Sequence, residues 1–172
     1  DFLPDKIIDI HTHVYKREFF DAAPSNAPRR TVSWTSTVAK DNPIEDLQET
    51  YRLLFPGKDV KALMFISGRT GQDENNAYLS RVSKETGWPA LYYSRPEQSA
   101  DEVEKMIREG GFLGVKSYLN LAPAYIPTRE VRIFDFFPKH QLAKLNEMGA
   151  ICMLHIPRHG RLKDQVNIQQ IL

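Results

Sequence analysis

"KIIDIHTHVY", Lys6 to Tyr15, ends a run of branched aliphatic side chains with two histidines one residue apart. Ile7, Ile8, Ile10 and Val14 are β-branched, so the stretch predicts a buried strand. Side chains on a strand alternate between faces, which sets Asp9, His11 and His13 on one side and Ile8, Ile10 and Thr12 on the other. Two imidazoles on one face start about 6–7 Å apart at their backbones, a span that converging rings can close around one ion.

Working outward, residues 16–41 show no period and carry Phe19, Phe20 and Trp34 among scattered Pro, Ser, Ala and Thr. This long loop after strand one is either of the kind that is often functional or a disordered insertion, and its aromatic residues either line a lid or anchor the loop. From Asn42 the pattern turns regular. Asn42 as a cap and Pro43 at the first position predict a helix with Ile44, Leu47, Tyr51 and Leu54 at helical spacing. "VKALMFIS" (Val60 to Ser67), "PALYYS" (Pro89 to Ser94), "FLGVKSYL" (Phe112 to Leu119) and "AICMLHI" (Ala150 to Ile156) predict four further strands. Helices separate them: Glu74 to Glu85 stopped by Gly87, a helix opened by a Ser99–Glu102 capping box and stopped at Gly110–Gly111, Pro138 to Met148 stopped by Gly149, and one beginning in "RLKDQVNIQQIL". A second irregular stretch runs from Asn120 to Phe136.

Such alternation predicts an α/β fold of about five parallel strands joined by right-handed helical crossovers. A doubly wound sheet and a TIM-barrel-like (β/α)₈ arrangement both satisfy it. No Gly-rich phosphate loop follows the first strand, which weakens the dinucleotide-binding version of the former. Barrels of this kind usually take ~250 residues. The 172 residues are therefore expected to be a single domain, 1–172, forming the N-terminal part of a truncated barrel.

Lys and Arg number 23 against 22 Asp and Glu, so the chain has no electrostatic footprint for nucleic acid or an anionic membrane. No apolar run approaches the ~20 residues that span a bilayer. Cys152, the single cysteine, excludes an internal disulfide and fits a reducing, cytoplasmic setting. In its apolar run it reads as an inert buried thiol. Strands one and five of a part-barrel each lack a neighbour, and such open edges predict a homo-oligomer, an aggregate, or pairing with a further part of the protein.

In parallel α/β architectures functional side chains gather at the carboxyl ends of strands. His11 and His13 end strand one and His155 ends strand five, so three imidazoles converge on one rim. With a position left open for water they suit a catalytic divalent ion: Zn²⁺ first, Mn²⁺ or Fe²⁺ as alternatives. Asp9 either ligates that ion, orients His11 by a hydrogen bond, or is satisfied by backbone amides. Lys116, ending strand four, is a substrate-binding cation, a CO₂-modified lysine bridging two metals, or a rim ion pair. Arg158 forks onto a substrate carboxylate or phosphate, or makes a surface salt bridge. His159, beyond Pro157, does not form a helical zinc pair with His155, and His140 reads as solvated.

"DIHTH" closing the first strand, "GFLGVKSY" on the fourth and "MLHIPR" on the fifth resemble the amidohydrolase superfamily, in its branch of amidohydrolase-related metal-dependent hydrolases and decarboxylases. The likeness spans the whole chain in order and spacing. It implies that His11, His13 and His155 are metal ligands. It also implies a histidine and an aspartate on later strands, six and eight, which this sequence does not reach, so the 172 residues alone are expected to be inactive. The resemblance implies hydrolysis of a small-molecule amide, lactone or ester, with an anionic substrate suggested by Lys116 and Arg158. A metal would act by bringing the pKa of its water to around 7. The same branch admits non-hydrolytic decarboxylation. A third expectation, of a different class, is a non-catalytic module.

Overall fold

A computed structural model describes residues 2–20, 38–67, 71–155 and 163–171. β1 (Lys6–His13) pairs in parallel with β2 (Asp59–Phe65). β3 (Tyr92–Tyr93), β4 (Gly114–Lys116) and β5 (Ile151–Met153) form a second parallel sheet in that order. One parallel bridge, Met64 to Ala90, links β2 to the residues that lead into β3, so the strands neighbour one another in chain order. The chain connects them through α1 (Ile44–Leu54), α2 (Gln72–Thr86), α3 (Ala100–Gly110), the short α4 (Ile133–Phe136) and α5 (Lys139–Met148), and α6 (Gln165–Ile171) follows β5. The fold class is therefore mixed α/β with parallel strands, as the alternation predicts. Closure into a barrel is not among the pairings of the described residues.

The helices earn their places by their apolar stripes. Ile44, Leu47 and Tyr51 are the buried residues of α1, and Val103 and Ile107 those of α3. The Ser99–Glu102 capping box forms as expected. The cap of α1 differs: Asn42 sends its side-chain amide to the His13 carbonyl, and the first helical N–H, that of Ile44, is met by the Tyr78 hydroxyl at 3.0 Å. β2 is apolar on both faces. Val60, Ala62, Met64 and Ile66 belong to the main core under the helices, whereas Leu63 and Phe65 join Leu91 and Met153 in a second cluster across the sheet. That two-sided burial is the mark of a parallel sheet.

Strands three to five are shorter than their apolar runs. Single backbone bonds precede the ladders, from Leu113 N–H to Ala90 and from Ile151 N–H to Leu113, both 2.9 Å. Beyond Lys116 the chain soon tightens into a 3₁₀ turn at Leu119–Leu121. At Gly114 the backbone of β5 comes so near that a Cβ would lie 1.9 Å from the Ile151 carbonyl oxygen, which explains the glycine.

The largest departure from expectation is in β1. Asp9 stands opposite Ala62 and Thr12 opposite Met64, three steps on β1 against two on β2. One extra residue is thus inserted as a bulge, and the alternation of faces shifts across it. Asp9 and Thr12 meet Tyr51 on the helix side, while His11 and His13 meet Phe65 on the other. The expectation that Asp9 shares the histidine face is therefore corrected. Ile8 and Ile10, expected to be buried, are 68% and 66% exposed, because no described element covers that side of β1.

The described ends of the long loop are tied to each other. Tyr15 and Asn42 form an antiparallel bridge, and the Arg17 N–H reaches the Asp41 carboxylate at 3.1 Å. Phe19 lies against Tyr78 and Phe20 against Tyr15, so both act as anchors. Trp34 lies outside the described residues. No helix among the described residues is long and apolar enough to cross a membrane.

Candidate metal centre at the strand ends

The carboxyl ends of β1, β4 and β5 bring together His11, His13, Lys116 and, two residues beyond β5, His155. Two aromatic rings connect them. The His11 and His13 rings lie 5.7 Å apart at their centroids and stand edge-on to Phe65, at 5.0 and 4.7 Å. Lys116 Nζ sits 5.7 Å from the Phe65 centroid and 4.9 Å from that of Tyr118. Tyr118 in turn lies 6.4 Å from His13 and 5.8 Å from His155. Sequence reasoning missed Phe65 and Tyr118. Tyr118 carried a signal, since it stands two residues past Lys116 in an extended run. Phe65 emerges only from the β1–β2 register, where it faces His13.

Tyr118 also decides how His13 holds its proton. The tyrosine hydroxyl has one proton, and at 2.6 Å it donates that proton to the Ile66 carbonyl, which can only accept. The 3.3 Å contact between the same hydroxyl and His13 Nδ1 must then run from an Nδ1–H to the tyrosine oxygen. This leaves Nε2 of His13 with a free lone pair, the form in which an imidazole binds a metal.

The electrostatics favour neutral rings. Burial, reinforced by the neighbouring charge of His11 and to a lesser degree that of Lys116, pushes His13 down to about 4 against an opposing pull from the Ile66 carbonyl. Burial and then Lys116, His11 and His13 push His155 down to about 4 as well. His11 is lowered by burial and by Lys116, with Asp9 opposing. Lys116, 2% exposed, is pushed down to about 8 by burial, and among the described residues no carboxylate forms an ion pair with it. The rim ion pair expected as one of its roles is therefore not made there. Burial raises the Cys152 thiol to about 12, which agrees with an inert cysteine.

The set fits a divalent ion in kind. Two imidazoles on one tetrahedral ion, with metal–nitrogen bonds near 2.1 Å, put their ring centroids about 5 Å apart, close to the 5.7 Å between His11 and His13. As the side chains stand, no group of three or more His, Cys, Asp or Glu among the described residues closes around a common point. His155 approaches through Tyr118 without joining the pair in a cage.

Asp9 contributes otherwise than as a ligand. Its Oδ1 accepts the His11 backbone N–H at 3.0 Å, and its Oδ2 accepts the Tyr51 hydroxyl at 2.8 Å. Burial works to raise this carboxyl, but the hydrogen bonds from the His11 N–H and the Tyr51 hydroxyl, with the nearby Thr12 hydroxyl dipole, outweigh it and hold Asp9 below the usual carboxylate range. His140 bonds the Gln98 carbonyl at 2.9 Å. Arg158 and His159 lie outside the described residues. Compared with protein-family models, curated proteins and solved structures, the chain finds no match in any of the three.

Proposed function

We propose that this chain belongs to a metal-dependent hydrolase of amidohydrolase type, built on a TIM-barrel-like fold, that cleaves an amide, lactone or ester bond in a small, anionic molecule. The observation that carries the reading is the gathering of neutral imidazoles from β1 and β5 beside a buried lysine at the carboxyl ends of parallel strands. His11, His13 and His155 would hold the ion, Zn²⁺ before Mn²⁺ or Fe²⁺. When bound it supplies a Lewis acid that acidifies water and polarises a carbonyl.

The chain's own groups do the remainder. Tyr118, by accepting the Nδ1 proton of His13, keeps Nε2 free. Lys116, cationic below about pH 8 and unpaired with any described carboxylate, attracts the anionic end of a substrate. Phe65 walls the site and keeps water from its inner side. A cytoplasmic protein that self-associates belongs to the same reading, with Ile8 and Ile10 exposed on β1 as the apolar surface to be covered.

The test is equilibrium dialysis against Zn²⁺ with the wild type, His13→Gln and His155→Gln, joined to a turnover screen of anionic lactones, esters and amides with the full-length protein. One equivalent of Zn²⁺ in the wild type, lost in both variants, together with chelator-sensitive hydrolysis, is expected. Failure to bind stoichiometric metal, or turnover that survives chelation, refutes it. CO₂ release from an acid in the screen would move the assignment to decarboxylation.

A further inference from the structure

We propose that Tyr51, on the opposite side of β1 from the candidate site, is a positioning residue that locks the bulge and thereby turns His11 toward Phe65 while holding the Asp9 carboxylate away. The inference deepens the reading of His11 as a ligand and rests on it for its consequence, though not for its geometry.

β1 spends one residue more than β2 between Asp9 and Thr12, so the local ladder is interrupted and something else must satisfy the backbone there. Asp9 Oδ1 does so by accepting the His11 N–H at 3.0 Å. The other carboxylate oxygen accepts the Tyr51 hydroxyl proton at 2.8 Å. With that proton committed, the 3.0 Å contact between Tyr51 Oη and Thr12 Oγ is made by the threonine's proton. One hydroxyl therefore ties together the residue before the bulge and the residue after it.

That hydroxyl is itself fixed from behind. Tyr51 is 7% exposed, and its ring packs at 6.2 Å from Phe55 and 5.9 Å from Trp88. Its position is set by the helix–sheet core, and the bulge conforms to it. A regular β1 would place Asp9, His11 and His13 on one face, because a one-residue change of register exchanges faces. The clamp selects the alternative, in which both histidine rings meet Phe65 and the carboxylate meets the helix.

Tyr51→Phe removes the hydroxyl and leaves the packed ring. Two readouts are taken on the full chain: hydrogen exchange of the His11 amide by NMR, and Co²⁺ affinity by titration of the visible d–d absorption. The His11 amide is expected to exchange at least about tenfold faster while amides of α3 keep their rates, and Co²⁺ affinity is expected to fall about tenfold, as for loss of a group that orients a ligand. An unchanged His11 rate, or an acceleration shared equally by α3, overturns the proposal. So does unchanged Co²⁺ affinity in a protein that binds Co²⁺. If the wild type binds none, the metal reading fails, and the exchange rate alone still decides the clamp. Thr12→Val, which cuts the second tie, is expected to move both readouts in the same direction by less, and it replaces Tyr51→Phe should that variant not fold.

Discussion

Replacing Lys116 with methionine should make the protein more stable at neutral pH and leave it little changed at high pH. Lys116 is 2% exposed, has no ion pair among the described residues, and is pushed from 10.5 down to about 8 by burial. The folded state therefore resists the proton that the unfolded state accepts. Between pH 8 and 10.5 the unfolded chain binds more protons, so stability rises with pH through that window, and below it the full penalty applies. A displacement of 2.5 pH units, from 10.5 to about 8, corresponds to about 3 kcal/mol at pH 7 and about 1 kcal/mol at pH 10. The rings of Phe65 and Tyr118 attract the ammonium by roughly 0.5–1 kcal/mol each, which trims the gain at pH 7 to about 1–2 kcal/mol. Methionine has similar length and no charge, so it fills the space without a cavity. Urea unfolding of both proteins at the two pH values measures the difference directly, and the midpoint at pH 7 should move up by about 0.5–1 M. A variant that loses stability at pH 7, or whose advantage does not shrink by pH 10, refutes the argument that Lys116 is held at the site against its solvation.

Acid should destabilise the protein in a window set by two histidines. His13 and His155 are pushed from 6.5 down to about 4, so the stability they contribute is complete above 6.5 and is lost as pH falls toward 4, up to about 3 kcal/mol for either ring taken alone. Urea midpoints measured from pH 7 to pH 4.5 should fall, and a His13→Gln/His155→Gln double variant should fall less; equal falls would discard the assignment. Gly114→Ala should be far more disruptive than its size suggests, since the new methyl meets backbone atoms of Ile151 at 1.9 and 2.5 Å. We expect a loss of at least about 3 kcal/mol or no folded protein at all, and a thermal melt within a degree or two of the wild type would contradict it.

Much of the architecture could be read from local pattern. The helix stops at Gly87, Gly111 and Gly149 and the Ser99–Glu102 box are decided within a few residues, and the structure has all of them. The histidines and Lys116 were legible because the ends of apolar runs mark the functional rim of parallel strands. The bulge in β1 was not. Its cause is a tyrosine 42 residues away in the chain, whose hydroxyl competes for Asp9 with whatever a regular strand would offer. The bulge also explains why Asp9 was assigned to the wrong face, for strict alternation is only as good as the register that carries it. Phe65 escaped notice for a related reason: nothing within "VKALMFIS" tells which of its apolar residues faces the histidines until β2 is paired with β1.

The tie between Tyr15 and Asn42, reinforced by Arg17 and Asp41, has a bearing on how this protein can diversify. With both ends fastened to one another and to the end of β1, the stretch of chain between these anchors can change length without pulling on the strand. Doubling its length costs only about 0.6 kcal/mol in closure entropy. Homologues could therefore vary the length of chain between these anchors while the histidine-bearing strand stays in register.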